Sequence, residues 1–417
     1  MIIHSTSQVV TLAGGVRRGP HPVDPQIIAD GAVLIRDGII AAVGTTTDLL
    51  PRYPDEKKFD ARGKALLPGL VDAHTHLVWA GDRAAEFELR LQGKTYMEIM
   101  AAGGGINATV RATRHATAAE IYDQTRARAL SMFRHGTTTA EAKTGYGLAL
   151  DAELKQLETL LRLDEAGPLE IVPTFMPAHA IPPEFAGRAQ EYTCQICDTL
   201  LPAAREWWQQ RCPAKPLPFV DVFCETGAFT LEQSRKILTC ARELGFRLKA
   251  HVDEFENLGG AALAVELGAV SIEHAVKTSP AEIVRLGNSE TVVVSLPCTP
   301  FGLADAHYTP AREMLAAGAI LALATDLNPG TAWCESMQFV IALACRYLKL
   351  TPAGALAAAT INAARAIGMD ERIGSIEVGK QADLILLSVP DYRQLAYRFG
   401  SNLVETVVKQ GKMTHFE

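Results

Sequence analysis

The first 193 residues of this chain contain no cysteine, and the eight cysteines that follow show no spacing typical of a disulfide framework. Chains of this kind are typical of reducing compartments, so we expect a cytoplasmic protein. The sequence also has no apolar run approaching the ~18 residues of a membrane span. Its first residues, Met1 to Ser5, lack the basic and apolar pattern of a secretory signal. We therefore expect no membrane partner.

An excess of positive charge is missing as well. The sequence carries 40 Lys and Arg against 47 Asp and Glu, which gives a formal net charge of −7. Proteins that bind nucleic acids present a basic surface to the phosphates, so no nucleic acid partner is expected. With 48% apolar and 21% charged residues, the composition is that of an ordinary globular protein. The length of 417 residues suits a barrel of ~300 residues with an additional domain.

Both ends of the chain have the pattern of short strands and tight turns. Asp37-Gly38 separates two apolar runs and is a dipeptide typical of a two-residue hairpin turn. Near the other end, Gln410-Gly411 follows the apolar run Leu403–Lys409 and marks a second turn. We therefore expect residues 1–66 and 369–417 to form one small, β-sandwich-like domain from both termini.

The middle of the chain, residues 67–368, alternates apolar strands with helices. Capping-box pairs mark helix starts at Thr230 and Ser279, and Asp151 is expected to cap another helix. Near-continuous apolar runs, typical of parallel strands, cover eight segments: Leu70–Leu77, Thr137–Lys143, Leu169–Pro177, Phe219–Glu225, Arg247–Glu254, Ala269–Ala275, Thr291–Leu296 and Ala319–Asp326. Eight such units predict an α/β fold, a (β/α)8 TIM-like barrel. A doubly wound open sheet is the alternative, but it gives the polar residues at the strand ends no common meeting point.

His74 and His76 lie two residues apart in the first of these strands, so their side chains share one face. Two imidazoles at this spacing are suited to bind one metal ion. Barrel enzymes build their sites at the C-terminal ends of the strands, where His251, His274 and Asp326 also lie. His74, His76, His251 and Asp326 form a nitrogen-and-oxygen set suited to Zn²⁺ or Fe²⁺. His274 is either a further ligand or a hydrogen-bond donor beside the ligands.

Three neutral imidazoles and one carboxylate leave positive charge on a divalent ion, which lowers the pKa of a bound water toward ~7. Hydrolysis then needs a proton acceptor, and Glu254, three residues after His251, is the candidate. On a regular strand Glu254 would face away, so we expect it to enter the site from a loop. Lys143 is expected to pair with a carboxylate rather than to carry a carboxylated bridge between two metals.

Two segments, Pro68–His76 and Gly374–Leu384, resemble the amidohydrolase superfamily. Narrower motifs, spread over nearly the whole chain, resemble the imidazolonepropionase family within that superfamily. These motifs are Glu86–Lys94, Ala102–Ile106, Val110–Arg114, Lys143–Leu148, His251–Glu254 and Asp326–Gly330.

This resemblance implies a metal-dependent hydrolase acting in L-histidine degradation. Its reaction opens the ring C–N bond of 4-imidazolone-5-propanoate to give N-formimidoyl-L-glutamate. The resemblance also implies one Zn²⁺ or Fe ion per chain and a homodimer. The implied metal ligands are His74, His76, His251 and Asp326. The implied substrate contacts are Arg83, Tyr146, His179, Glu254, Asn328, Gly330 and Thr331.

The propionate of that substrate requires a fixed cation. The planar guanidinium of Arg83 is suited to hold a carboxylate with two hydrogen bonds. Tyr146 and His179 offer ring faces and hydrogen-bond donors to a flat, polar heterocycle.

Three residues are hypothesised to take part in the chemistry. Glu254 and Asp326 move protons, and His274 stabilises the developing oxyanion. Two other functions compete with this interpretation. One is another cyclic amidohydrolase or a nucleobase deaminase of the same superfamily, whose substrate has no propionate. The other is a non-catalytic barrel that binds a metal or ligand.

Overall fold

The structure is a computed structural model that describes residues 1–21, 23–94, 98 and 103–416. Pro22 and Glu417 of the expected terminal domain, and Ala102 of the Ala102–Ile106 motif, lie outside the described residues. Two sheets organise the chain, one in the middle and one from its ends. None of the helices in the described ranges combines the length and apolar character of a membrane span.

The strands are numbered here in chain order. They are β1 (Ile2–Val10), β2 (Ile27–Arg36), β3 (Ile39–Thr45), β4 (Lys58–Asp60), β5 (Ala65–Pro68), β6 (Leu70–Asp72), β7 (Thr137–Lys143), β8 (Glu170–Ala178), β9 (Phe219–Cys224), β10 (Arg247–Val252), β11 (Ser271–His274), β12 (Val292–Ser295), β13 (Ile320–Leu323), β14 (Leu384–Leu387), β15 (Val404–Lys409) and β16 (Lys412–His415).

Helices connect and cover the strands. The α-helices are Thr46–Arg52, Ala84–Leu91, Ile106–His115, Ala118–Arg134, Leu150–Ala166, Ala189–Gln195, Leu201–Arg211, Leu231–Glu243, Gly260–Leu267, Pro280–Gly287, Cys298–Leu303, Ala311–Ala316, Met337–Tyr347, Pro352–Ala358, Ile361–Ala366 and Gln394–Tyr397. Pro183–Phe185 is a 3-10 turn, and Ile196–Leu200 is a π-helical turn. The capping boxes at Thr230 and Ser279 are confirmed.

The middle sheet contains β6 to β13 in strict chain order, and every neighbouring pair is parallel. Its two outer strands are joined beyond their ends, because Thr75 forms a parallel bridge with Leu327. The His76 N–H donates to the Leu327 carbonyl at 2.9 Å, and the Asp326 N–H donates to the His74 carbonyl at 3.2 Å. The predicted (β/α)8 barrel is therefore confirmed, and the open-sheet alternative is wrong.

The first barrel strand is shorter than the sequence predicted. We expected Leu70–Leu77, but β6 ends at Asp72, and His74 and His76 follow it in an extended segment. Beyond Asp72 the pairing with β7 is no longer a regular backbone ladder, because one backbone group of Thr75 bonds to a side chain of β7. Thr75 donates its N–H to the Glu141 side chain, while its carbonyl accepts from the Lys143 N–H.

The helices bury apolar faces against the barrel wall. Leu157 and Leu161 of the helix Leu150–Ala166 share one core cluster with Phe175 of β8 and Val220 of β9. Each such side chain contributes roughly 1.5–3 kcal/mol when fully buried. Asp151 lies in the first turn of this helix, and Ala149 occupies the capping position, so the expected Asp151 cap is wrong.

The strands from both termini form one mixed, hydrogen-bonded sheet, as the sequence predicted. Its order is β16-β15-β14-β5-β1-β2-β3, with β4 paired to β1. Both expected hairpins are present, and each turn has two residues with positive φ: Asp37 and Gly38 in one, Gln410 and Gly411 in the other. Such turns match the right-handed twist of the strands. The expected boundary between residues 66 and 67 falls within β5.

An ion cluster ties the terminal sheet to the barrel. The Lys409 ammonium donates to Asp383 at 2.6 Å and to Glu170, at the start of β8, at 2.8 Å. The Asp383 side chain is 2% exposed. We predict that Lys409→Met lowers the free energy of unfolding by about 3–5 kcal/mol, because it leaves a buried carboxylate without its cation. A decrease of several degrees in the thermal unfolding midpoint measures this effect.

Lys64→Met is the matched control. Lys64 pairs with Glu405 inside the same terminal sheet, but both side chains are partly exposed. Exposed pairs contribute about 0–1 kcal/mol, so this variant is expected to unfold near the wild-type midpoint. Equal shifts for the two variants would contradict the prediction.

Candidate metal centre and substrate pocket

Four candidate ligands converge at the C-terminal mouth of the barrel. His74 and His76 follow β6, His251 lies in β10, and Asp326 lies three residues after β13. One Asp326 oxygen is 3.2 Å from His74 Nε2 and 3.6 Å from His76 Nε2. The Nε2 atoms of His251 and His76 are 3.2 Å apart. The structure therefore brings together all four residues that the sequence singled out as metal ligands.

These side chains fit a divalent cation. Ligand atoms of His74, His76 and Asp326 lie within 4.8 Å of one another. Both nitrogens of His74 and Nδ1 of His76 are buried and have no hydrogen-bond partner among the described residues. Burial and the nearby positive charges lower the pKa of each of the three imidazoles well below its usual value. Neutral imidazole is the form that binds a metal, so the donor set suits Zn²⁺ or Fe²⁺.

Asp326 completes the set from the last barrel strand. Burial raises the pKa of this carboxyl to about 7, although hydrogen bonds from Thr299 and Asn328 oppose the shift. Asp326 adopts a φ of 54°, and His274 a φ of 69°. Non-glycine residues at positive φ are uncommon and cluster at functional sites. Two barrel strand ends therefore have the backbone conformation that is enriched at functional sites.

His274 and Glu254 lie beside the candidate ligands. Because β10 ends at Val252 and Asp253 has a φ of 56°, Glu254 lies in the following loop, as expected. Glu254 Oε2 is 3.5 Å from His274 Nε2. Burial first, and then repulsion from Asp326, raises the pKa of Glu254 well above its usual value. Burial lowers the pKa of His274 to about 3.

Aromatic rings line the other side of the candidate centre. The ring of His179 stacks on that of His76, with centroids 4.5 Å apart and an interplanar angle of 13°. Tyr146 lies edge-on to His179 at 5.2 Å. The His179 Nδ1 atom is 3.0 Å from the Gly145 carbonyl, where a side-chain Cβ would approach the His179 ring at 2.9 Å. A glycine at position 145 thus leaves room for the His179 ring.

Arg83 and the loop after β13 lie near Tyr146. Burial raises the pKa of Tyr146, and the negative charge of Asp326 raises it further. The positive charge of Arg83 lowers it, so the charges of Asp326 and Arg83 both influence the Tyr146 hydroxyl. Arg83 Nε donates to Glu86 at 2.8 Å, and Glu86 also accepts the Gly105 N–H at 3.0 Å.

The loop itself is braced by Asn328. Its side-chain oxygen accepts the N–H groups of Gly330 and Thr331, both at 2.8 Å, and its amide donates to the Asp326 carbonyl. A Cβ at position 330 would approach Arg83 Nη1 at 2.4 Å. Gly330 therefore leaves the space that the Arg83 guanidinium occupies.

A buried ion network underlies the candidate centre. Lys143 donates to Glu141 at 2.7 Å and to Asp221 at 2.8 Å, and none of the three side chains is exposed to solvent. The expected pairing of Lys143 with a carboxylate is confirmed. Asp221 was not among the residues predicted for the site, and its Oδ1 atom is 3.1 Å from His251 Nδ1. The available signal was a single carboxylate inside the apolar strand Phe219–Cys224, since a buried carboxylate requires a partner.

A closed parallel barrel with these candidate ligands at its mouth, together with the family matches that follow, identifies a metal-dependent hydrolase of the amidohydrolase class. The amidohydrolase family matches residues 225–414, and an imidazolonepropionase-like composite domain of bacteria matches residues 31–55. An imidazolonepropionase of Chloroflexus aggregans is 50% identical over 99% of this chain and 98% of its own length. The chain belongs to the imidazolonepropionase family.

Solved structures with lower sequence identity share the fold. The guanine deaminase of E. coli superposes with a TM-score of 0.72 at 16% identity, covering 100% of this chain and 99% of its own. A zinc-bound adenosine deaminase from Xanthomonas campestris gives a TM-score of 0.69 at 22% identity, covering 99% and 92%. At these identities the likeness concerns the architecture alone.

We predict that His251→Ala lowers the metal content of the purified protein. Loss of even a residue that only orients a ligand typically costs ~10–100-fold in metal affinity, so loss of a ligand costs at least about as much. Elemental analysis after dialysis measures the metal per chain.

His307→Ala is the control, because His307 is exposed, pairs with Asp305 and belongs to none of the close groups of candidate ligand atoms in the described part of the chain. It is expected to retain the wild-type metal content. A His251→Ala protein with full metal content would remove His251 from the ligand set.

Proposed function

We propose that this chain is a metal-dependent imidazolonepropionase, which hydrolyses the ring C–N bond of 4-imidazolone-5-propanoate to N-formimidoyl-L-glutamate in L-histidine degradation. One observation carries the proposal: His74, His76, His251 and Asp326 meet in a chain whose full-length relatives, up to 50% identical, are imidazolonepropionases. The geometry of the barrel supports the choice of metal ligands, and the family membership supports the choice of substrate.

The proposed cofactor is one Zn²⁺ or Fe ion per chain, held by His74, His76, His251 and Asp326. When bound, such an ion polarises a carbonyl oxygen and brings the pKa of a water molecule toward ~7. The protein contributes neutral imidazoles, because burial and neighbouring cations hold the pKa of each histidine low. The carboxylate of Asp326 reduces the net charge of the centre and is positioned to accept a proton from water.

Glu254 is the proposed proton carrier. Its raised pKa and its contact with His274 suit a group that accepts a proton from water and returns it to the ring nitrogen. His274 is proposed to stabilise the developing oxyanion from the same side. His274 is also close enough to be a further ligand, since nitrogen atoms of His74, His251 and His274 lie within 4.8 Å of one another.

The substrate is proposed to lie between the candidate metal centre and Arg83. Arg83 binds the propionate, and Gly330 and Thr331 contact it from the loop that Asn328 braces. Tyr146 and His179 contact the flat ring. We further propose that the protein is a cytoplasmic homodimer; its eight cysteines are all free thiols in the structure.

The proposal is tested by comparing substrates on the purified, metal-loaded chain. We predict rapid hydrolysis of 4-imidazolone-5-propanoate and no release of ammonia from guanine or cytosine. Arg83→Met is expected to lower kcat/KM for the propionate substrate by roughly 10- to 100-fold, the effect of one charged hydrogen-bonded contact. The same variant is expected to leave the rate unchanged for 4-imidazolone without the propionate.

Two results would contradict this function. Deamination of a nucleobase in place of ring opening would favour the deaminase alternative. Binding of substrate analogue and metal with no turnover of any substrate would favour the non-catalytic barrel.

We predict that Glu254→Gln lowers kcat by ~10²–10⁴-fold, because general acid–base catalysis contributes about that factor. Its metal content is expected to equal that of the wild type, since Glu254 is outside the close groups of ligand atoms. Glu256→Gln is the matched control, because Glu256 lies in the same loop, is exposed and bonds to Thr226. A Glu254→Gln enzyme with wild-type kcat would show that another group carries the proton.

A further inference from the structure

Asp221 makes a contact with His251 that the other candidate ligands lack. Its Oδ1 atom lies 3.1 Å from His251 Nδ1 and also accepts the backbone N–H of His251 at 3.2 Å. The opposite nitrogen, Nε2, faces the other candidate ligands, 3.2 Å from His76 Nε2. The two nitrogens of His251 therefore have separate partners on opposite sides of the ring.

This arrangement selects one tautomer. A carboxylate can only accept a hydrogen bond, so the proton of a neutral His251 ring resides on Nδ1. Nε2 is then unprotonated and carries the lone pair that a metal ion requires. In contrast, Nδ1 of His74 and Nδ1 of His76 have no hydrogen-bond partner among the described residues. Unlike His74 and His76, His251 thus has a charged side chain, that of Asp221, that fixes the orientation of its ring.

Lys143 fixes Asp221 in turn. Its ammonium bonds to Asp221 Oδ2 at 2.8 Å and to Glu141 at 2.7 Å. Glu141 also accepts the backbone N–H of Thr75, the residue between His74 and His76, at 3.2 Å. One buried network thus reaches candidate ligands on the first and the fifth barrel strand.

We propose that Asp221 and Lys143 are positioning residues of the metal centre: Asp221 fixes the tautomer and ring plane of His251, and Lys143 holds Asp221 in place. This inference rests on the proposed role of His251 as a ligand. It adds that the affinity for the metal depends on a carboxylate and an ammonium outside the four proposed ligands.

The competing explanation is that these buried charges only stabilise the fold. Asp383 offers a matched comparison, because it is also a buried aspartate whose Oδ2 atom accepts from a lysine, Lys409, at 2.6 Å. It lies just before β14 of the terminal sheet. Asp383→Asn therefore removes the same charge from a similar ion pair without changing the candidate centre.

Co²⁺ is the probe, because its visible absorption reports the geometry of the nitrogen and oxygen atoms around it. The full-length variants Asp221→Asn and Asp383→Asn are loaded with Co²⁺ and titrated with a chelator, with the fold checked by circular dichroism. We expect Asp221→Asn to weaken Co²⁺ binding by ~10–100-fold and to shift the absorption band. Asp383→Asn is expected to match the wild type in both measurements, even if its unfolding midpoint falls.

Lys143→Met is expected to weaken Co²⁺ binding in the same direction, by a smaller factor, because Asp221 remains but loses its anchor. If Asp221→Asn does not fold, Asp221→Glu replaces it. That variant keeps the charge but moves it by one methylene, so it is expected to bind Co²⁺ more weakly than the wild type.

Equal Co²⁺ affinities and spectra for the Asp221 variant and Asp383→Asn would overturn the positioning role. His251→Ala, measured in parallel, separates this failure from a failure of the ligand assignment. If His251→Ala loses Co²⁺ while Asp221→Asn retains it, the centre stands and only the inference about Asp221 falls.

Discussion

The proposed metal centre is built over the ion pairs that buried Lys143 makes with the carboxylates of Asp221 and Glu141. Transfer of an ammonium group from water to a protein interior costs several kcal/mol, and burial alone would lower the pKa of Lys143. The two carboxylates more than offset that effect and raise the pKa above its usual value, so the lysine keeps its charge. Through Asp221 and Glu141 this charge reaches His251 and the segment that carries His74 and His76. The buried charges of Lys143, Asp221 and Glu141 therefore help to hold the candidate ligands at the mouth of the barrel.

Much of this organisation follows from local sequence patterns. The alternation of apolar runs with capped helices predicted the parallel barrel, because each unit is recognisable within about 30 residues. Asp37-Gly38 and Gln410-Gly411 predicted both hairpins, since each turn needs two residues that tolerate positive φ. The candidate ligands were recognisable because a closed barrel collects the ends of its strands at one mouth, so residues distant in the sequence needed no separate evidence of proximity.

Features that depend on tertiary contacts were not predictable in this way. The first barrel strand ends at Asp72, and beyond it the Thr75 N–H bonds to the side chain of Glu141, a residue 66 positions away. The carboxylate of Asp221 in an apolar strand indicates that it needs a partner, but its partners, Lys143 and His251, lie on other strands and no local pattern identifies them. Asp151 fits a capping position by sequence, yet Ala149, two residues earlier, occupies the cap. In each case a long-range partner or a shift of two residues decides the outcome.

The strand order of the terminal sheet has a consequence for the folding of the chain during its synthesis on the ribosome. Its strand β5 pairs on one side with β1 and on the other with β14, which is translated only after the whole barrel. At about 5–20 residues per second, the nascent N-terminal strands wait on the order of tens of seconds for that neighbour. Until β14 has been synthesised, the edge of β5 that pairs with it in the finished sheet has no partner strand.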